Sequence, residues 1–205
     1  MTPCADPLVW LVDVAALDEA SLAHYAAWLG PSERARCARF VRPERRRQFI
    51  VGRALLRTAL GRRLGLEPAA IALEERAGQA PGLVFPRGFG GGFSISHSGQ
   101  WVACAVSAHG RVGLDIERID PQRDVIALAR QAFSMDEVAF LLACAPATRS
   151  AAFYRMWCSH EARIKLGEAS TCEYFLEAPG LVGMLACAAS LTVAPTLVQV
   201  RLDAR

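Results

Sequence analysis

Between Glu44 and Leu64 the chain keeps one helical spacing without a break, and directly after Gly65 it changes to short extended runs divided by turns. Phe49, Gly52, Leu55, Leu56 and Leu60 recur at the intervals that put side chains on one helix face, so the intervening arginines are expected on the outer face. Residues 71–74, 78–86, 93–96, 101–107 and 112–117 then read as strands, with Gly88, Gly90, Gly91 and Gly92 marking a turn. Upstream, residues 8–14 read as a strand. Asp18 is placed to cap a helix over 19–29, which Gly30 and Pro31 end, and Ser32 to cap a second, basic helix. Downstream the order repeats: helices over 125–133, 136–142 and 150–166, then strands to the end. The expectation is an α+β chain of two similar lobes, 1–111 and 112–205, meeting near Arg111.

Of 205 residues, 53% are hydrophobic, enough to bury a sizeable core. The formal net charge of +3 decides nothing about nucleic acid, but its distribution does more. Arg34, Arg36, Arg39, Arg42, Arg45, Arg46, Arg47, Arg53, Arg57, Arg62 and Arg63 crowd one stretch with few acids among them, so an anion is the expected partner. There is no aromatic stacking platform or nucleic-acid motif, and no nucleic-acid partner is expected. The cysteines, from Cys4 to Cys187, form no C-x-x-C pair and read as reduced thiols of a cytoplasmic protein. The apolar residues 8–12 lack a basic flank and read as strand rather than signal peptide. Residues 181–198 carry no charge, but Gly183, Ser190, Pro195 and Thr196 interrupt them. They read as two core strands around a turn, not a membrane span.

Asp115 and Glu117 alternate on a strand and so leave one face, a pairing of hard oxygens that suits magnesium and also suits a solvated edge. If the two only repel each other, Asp115→Ala is expected to hold or raise the melting temperature. Trp157, Glu161 and Lys165 share a helix face, either looking into a cleft or forming a surface ion pair. Ser94, Ser96, His97 and Ser98, followed by Gly99, gather hydroxyls, an imidazole and backbone amides as a phosphate cradle would. No G-x-x-x-x-G-K-[ST] loop and no G-x-S-x-G elbow occurs.

Read in order, Phe93-Ser94-Ile95-Ser96-His97-Ser98-Gly99, Val112-Gly113-Leu114-Asp115-Ile116-Glu117, and Phe153-Tyr154 with Trp157 to Lys165 resemble the 4'-phosphopantetheinyl transferases. The resemblance is to the two-lobed, monomeric, surfactin-activating type. It extends to residues 31–40 and 52–57, to a Gly78–Pro81 block with Gln79 where lysine is usual, and to 183–188. It implies a fold of two α/β lobes related by a pseudo-two-fold axis, the second one shortened after Lys165. It also implies transfer of 4'-phosphopantetheine from coenzyme A to a serine of an apo acyl or peptidyl carrier protein, with magnesium as cofactor. A degenerate homologue that binds without turnover is the alternative. By position the magnesium ligands are Asp115, Glu117 and Glu161, Lys165 holds the pyrophosphate, Glu161 takes the serine proton, and Arg36, Arg53, Ser96 and His97 take coenzyme A phosphates. The family's Trp-x-x-Lys-Glu is here Trp157-Cys158-Ser159-His160-Glu161, so His160 either replaces a phosphate-binding lysine or points away.

Overall fold

The computed structural model describes residues 6–202. Cys4 lies outside them. The chain runs β1 (Leu8–Asp13), α1 (Glu19–Ala27), α2 (Pro31–Ala38), α3 (Pro43–Leu64), β2 (Ala72–Glu74), β3 (Gly82–Phe85), β4 (Gly92–Ser98), β5 (Trp101–Ser107) and β6 (Val112–Arg118). It continues with α4 (Val125–Ala132), α5 (Met135–Ala143), α6 (Pro146–Leu166), β7 (Cys172–Ala178), β8 (Leu181–Cys187) and β9 (Leu197–Gln199). The mixed α+β expectation holds.

Two sheets make the centre, one ordered β4-β5-β1-β9 and the other β6-β8-β7. The alternation of strand side chains explains why β1 and β5 are apolar at nearly every position. Leu8, Trp10, Val12, Val102, Cys104 and Val106 meet Leu55, Leu56 and Leu60 of α3 in one core. Val9, Leu11, Ala103 and Ala105 face Leu114, Ile116 and Leu185 of the second sheet in another. The outer face of the second sheet carries α6 through Phe153, Tyr154, Cys158 and Val182. Helix, sheet, sheet and helix are thus stacked in four layers.

Four local expectations are corrected. Ser32 does not cap α2: Gly30 does, and the Glu33 side chain closes back on the Gly30 amide at 2.7 Å. Ser32 Oγ instead accepts the Glu75 amide, tying α2 to the end of β2. The uncharged run 181–198 is not a hairpin, because β8 pairs with β6 and β7 whereas β9 crosses to lie parallel to β1. Residues 197–202 therefore belong with the first sheet, and Leu202 is buried in its core, so the unit expected over 112–205 does not hold its own end. Finally, α3 is not amphipathic in its middle. It is buried from Gln48 to Gly61 except at Thr58, and Arg53 and Arg57 lie inside with it. Acids from elsewhere in the chain make this possible: Glu33 meets Arg57 at 2.5 Å, and Glu75 meets Arg53 at 2.5 Å. No helix among the described residues is long and apolar enough to cross a membrane.

One close approach sets the second sheet against its helix. A Cβ on Gly113 would lie 1.9 Å from the Ala162 carbonyl oxygen and 2.5 Å from the Leu166 amide, so β6 and α6 touch backbone to backbone at this point. Neither atom can turn aside as a side chain could. Gly113→Ala is therefore expected to cost about 3 kcal/mol or more, at the upper end of overpacking substitutions, because α6 must lift from β6. A thermal melt checks it; a loss of under about 1 kcal/mol would show that the layers slide easily.

Candidate active site

Because Val112, Leu114 and Ile116 face the inter-sheet core, Gly113, Asp115 and Glu117 face α6. The close seat at Gly113 brings the last turns of α6 over them. Lys165 reaches back so that its Nζ lies 2.7 Å from Asp115 Oδ1 and 3.1 Å from Ser96 Oγ. Ser96 Oγ in turn donates to Asp115 Oδ1 at 2.8 Å, and Ser98 Oγ donates to Glu117 Oε2 at 2.7 Å. Asp115 is buried, and its Oδ2 has no hydrogen-bond partner among the described residues. Burial pushes the Glu117 carboxyl above its ordinary range, with the neighbouring Asp115 adding to this and the Ser98 hydroxyl opposing it. Cys158 packs from α6 on the same acids; burial, and then the two carboxylates, hold its thiol protonated.

Asp115 thus has partners that the strand spacing alone does not reveal. Asp115→Ala would leave Lys165 and Ser96 without their acceptor, so the melting temperature is expected to fall, reversing the sign expected from carboxylate repulsion.

Beside this acid pair runs a groove of about 700 Å³. Its walls include Arg36, Arg53, Arg76 and Arg111, the Gly78–Pro81 turn, His97 and Lys165. The basic residues do not all offer charge to it. Arg53 is buried against Glu75, and its guanidinium stacks 4.6 Å from the Phe49 ring centroid. Arg36 also pairs with Glu75 but keeps 44% of its side chain exposed. Arg76 and Arg111 are exposed. Arg53 therefore stiffens the wall, and Arg36, Arg76 and Arg111 present it.

His97 has one edge in solvent. Its Nδ1 lies 3.0 Å from Arg45 Nη1. A guanidinium can only donate, so Nδ1 accepts and the ring's proton sits on Nε2. Withdrawal of the ring from water, and then the Arg45 charge, lower its pKa to about 4. At neutral pH His97 is a neutral N–H donor on the groove wall.

Of the residues singled out in the sequence, the structure gathers Asp115, Glu117, Ser96, His97 and Lys165, with Arg36 and Arg53 across the groove. Three placements differ from expectation. Ser96 is buried and its hydroxyl is taken up by Asp115, Lys165 and the Ile116 amide, so it does not face the groove as a phosphate ligand. His160 points to the other side of α6, with Nε2 2.8 Å from Glu137 Oε1 and its ring edge on Phe133. It does not stand in for a phosphate-binding lysine. Among the described residues no three His, Cys, Asp or Glu side chains enclose one point, so Asp115, Glu117 and Glu161 do not form a ready triad. Glu161, partly exposed on α6, makes no hydrogen bond or ion pair with a described residue. Sequence reasoning missed Arg76 and Glu75; their signal was a charged cluster ahead of the Gly78 turn.

The donor set fits magnesium in a reduced form. That ion takes one or two carboxylates and keeps waters, and Asp115 Oδ2 is a buried acceptor without a donor. Asp115 and Glu117 are the residues that would hold it.

Two family profiles match the chain: residues 18–109 match "4'-phosphopantetheinyl transferase, N-terminal", and residues 111–177 match "4'-phosphopantetheinyl transferase superfamily". The chain is 34% identical over 149 residues to the 4'-phosphopantetheinyl transferase HetI of Nostoc sp., covering 72% of this chain and 62% of HetI. It is 30% identical over 141 residues to the 4'-phosphopantetheinyl transferase Sfp of Bacillus subtilis, covering 69% and 61%. It is 36% identical over 122 residues to the 4'-phosphopantetheinyl transferase AcpT of Salmonella typhi, covering 59% and 58%. The matches thus span about three fifths of the length of these relatives.

Proposed function

The chain belongs to the 4'-phosphopantetheinyl transferase superfamily, and on that footing we propose that it moves the phosphopantetheine arm of coenzyme A onto a serine of an apo carrier protein. One observation carries this reading: Lys165 belongs both to the wall of the basic groove and to the Asp115 acid site. A phosphate-rich ligand lying in the groove brings its pyrophosphate to that lysine. Arg36, Arg76 and Arg111 take the remaining phosphate charge, and His97 donates its Nε2 proton to a phosphate oxygen.

The carrier serine oxygen bonds to the β-phosphorus as the bond to the bridging oxygen breaks. 3',5'-ADP leaves with that electron pair, and Lys165 stabilises the charge it carries away. Glu161, open and unpaired, takes the serine proton. Asp115 and Glu117 would hold magnesium, which when bound would supply further charge stabilisation at the phosphates. The two lobes repeat one plan, a long helix on one face of a sheet. Each half gives three strands to its own sheet, β1, β4 and β5 in the first and β6, β7 and β8 in the second, which supports the pseudo-two-fold reading with a division near 111/112, while β9 returns from the second half to the first sheet. One chain supplies both sides of the groove, which supports a monomeric enzyme.

Calorimetric titration with coenzyme A, with and without magnesium, tests the groove. Binding is expected in both conditions, tighter with the metal, and Arg36→Ala or Arg111→Ala should each weaken it about tenfold or more, the scale of one charged hydrogen bond. No binding at millimolar coenzyme A would exclude the reading.

A further inference from the structure

β4 and β6 are the facing edges of the two sheets, and they run side by side without a backbone ladder. Serine hydroxyls take its place. Ser94 Oγ accepts the Leu114 amide at 3.0 Å, Ser96 Oγ the Ile116 amide at 3.2 Å, and Ser98 Oγ the Arg118 amide at 3.0 Å. The offset is the same at each step. Since each oxygen already accepts an amide, its own hydrogen is free to be donated, and in two of the three cases it goes to the carboxylate just before that amide: Asp115 for Ser96 and Glu117 for Ser98.

From this repeat we infer that Ser96 and Ser98 are positioning residues for the two acids, each fixing one carboxylate oxygen and leaving the other to a divalent cation. The inference rests on the reading of Asp115 and Glu117 as the cation site. It follows from the way the lone pairs are used. At Asp115, Ser96 and Lys165 both donate to Oδ1, and Oδ2 is the oxygen left without a partner. At Glu117, Ser98 occupies Oε2. The alternation of the serines matches that of the acids because both strands have a two-residue side-chain period, so one register places both carboxylates. The same hydroxyls seal the seam between the sheets, and the aim of the acids is thereby fixed to the packing of the two lobes.

The test is the magnesium dissociation constant, measured by calorimetry in the presence of saturating coenzyme A, for the wild type, Ser98→Ala, Ser98→Thr and Ser96→Ala. Coenzyme A affinity without metal and the melting temperature are measured alongside. Ser98 is the more exposed of the two serines, so its variants keep the test available if Ser96→Ala does not fold. The account expects Ser98→Ala to weaken magnesium about 10- to 100-fold, the usual range for a group that orients a metal ligand, with metal-free coenzyme A affinity unchanged and Ser98→Thr restoring the metal. Unchanged magnesium affinity with a lowered melting temperature would reduce the serines to a structural seam and overturn the inference. A loss of metal-free coenzyme A affinity would make Ser98 a phosphate ligand and overturn it too. If the wild type binds no magnesium, or Asp115→Asn binds it as tightly as the wild type does, the cation-site reading itself fails and the inference falls with it.

Discussion

Asp115→Asn is expected to lower the transfer rate by about 10²- to 10³-fold while the protein stays folded, the scale seen when one fixed electrostatic group is taken from a reacting site. Asparagine keeps an oxygen where Ser96 and Lys165 donate to Oδ1. At the other position it puts an amino group in place of the buried Oδ2, and that group donates instead of accepting. The site thus loses its charge and its free lone pairs but not its shape. The melting temperature should drop less than for Asp115→Ala, which also strands Lys165 and Ser96. Single-turnover transfer with excess magnesium, read together with a circular dichroism melt, separates the two effects. A rate near wild type would remove Asp115 from the metal site.

Glu33→Ala is expected to destabilise the fold by about 3–5 kcal/mol, because it leaves a buried guanidinium without its carboxylate. Glu33 and Arg57 are at most 1% exposed, and the carboxylate contacts Arg57 at 2.9 and 2.5 Å, the Gly30 amide at 2.7 Å and Arg53 at 3.5 Å. For a chain of this size the melting temperature should fall on the order of 10 °C. Coenzyme A binding should weaken as well, since Arg53, and Arg36 through their shared Glu75, lose the buried base of their network. The double variant Glu33→Leu with Arg57→Met removes both charges, and it should recover much of the loss. A single variant as stable as the wild type would show that water or backbone groups serve Arg57 as well as Glu33 does.

The sequence carried the acid pair and its facing helix well. Strand alternation put Asp115 and Glu117 on one face, and helical spacing put Glu161 and Lys165 on one stripe, because both relations depend on the local backbone period alone. What it did not carry were choices between distant partners. The arginines of α3 resemble a solvated face until Glu33, from the preceding helix, and Glu75, from beyond β2, are brought to them by the fold. The serine repeat resembles a phosphate cradle, because nothing in residues 94–98 shows that a second sheet edge lies alongside to take up their hydroxyls. His160 is adjacent to Glu161, yet about 100° of helix rotation sends it to Glu137 on the far side of α6. The final strand was misassigned because an uncharged run shows neither which sheet it joins nor that it is buried: β9 crosses to β1, and Val198 stays 48% exposed.

The central claim is that a serine on a carrier receives the phosphopantetheine arm, and intact-protein mass spectrometry tests it most directly. Purified apo carriers of the fatty-acid, polyketide and peptide-synthetase kinds would be incubated with this protein, coenzyme A and magnesium. At least one carrier should gain the mass of a single phosphopantetheine on its serine. The gain should vanish without magnesium and be strongly slowed by Asp115→Asn. If every carrier stays unmodified while the same protein preparation binds coenzyme A in its groove, the transferase account is wrong, and a binding protein built on the transferase fold takes its place.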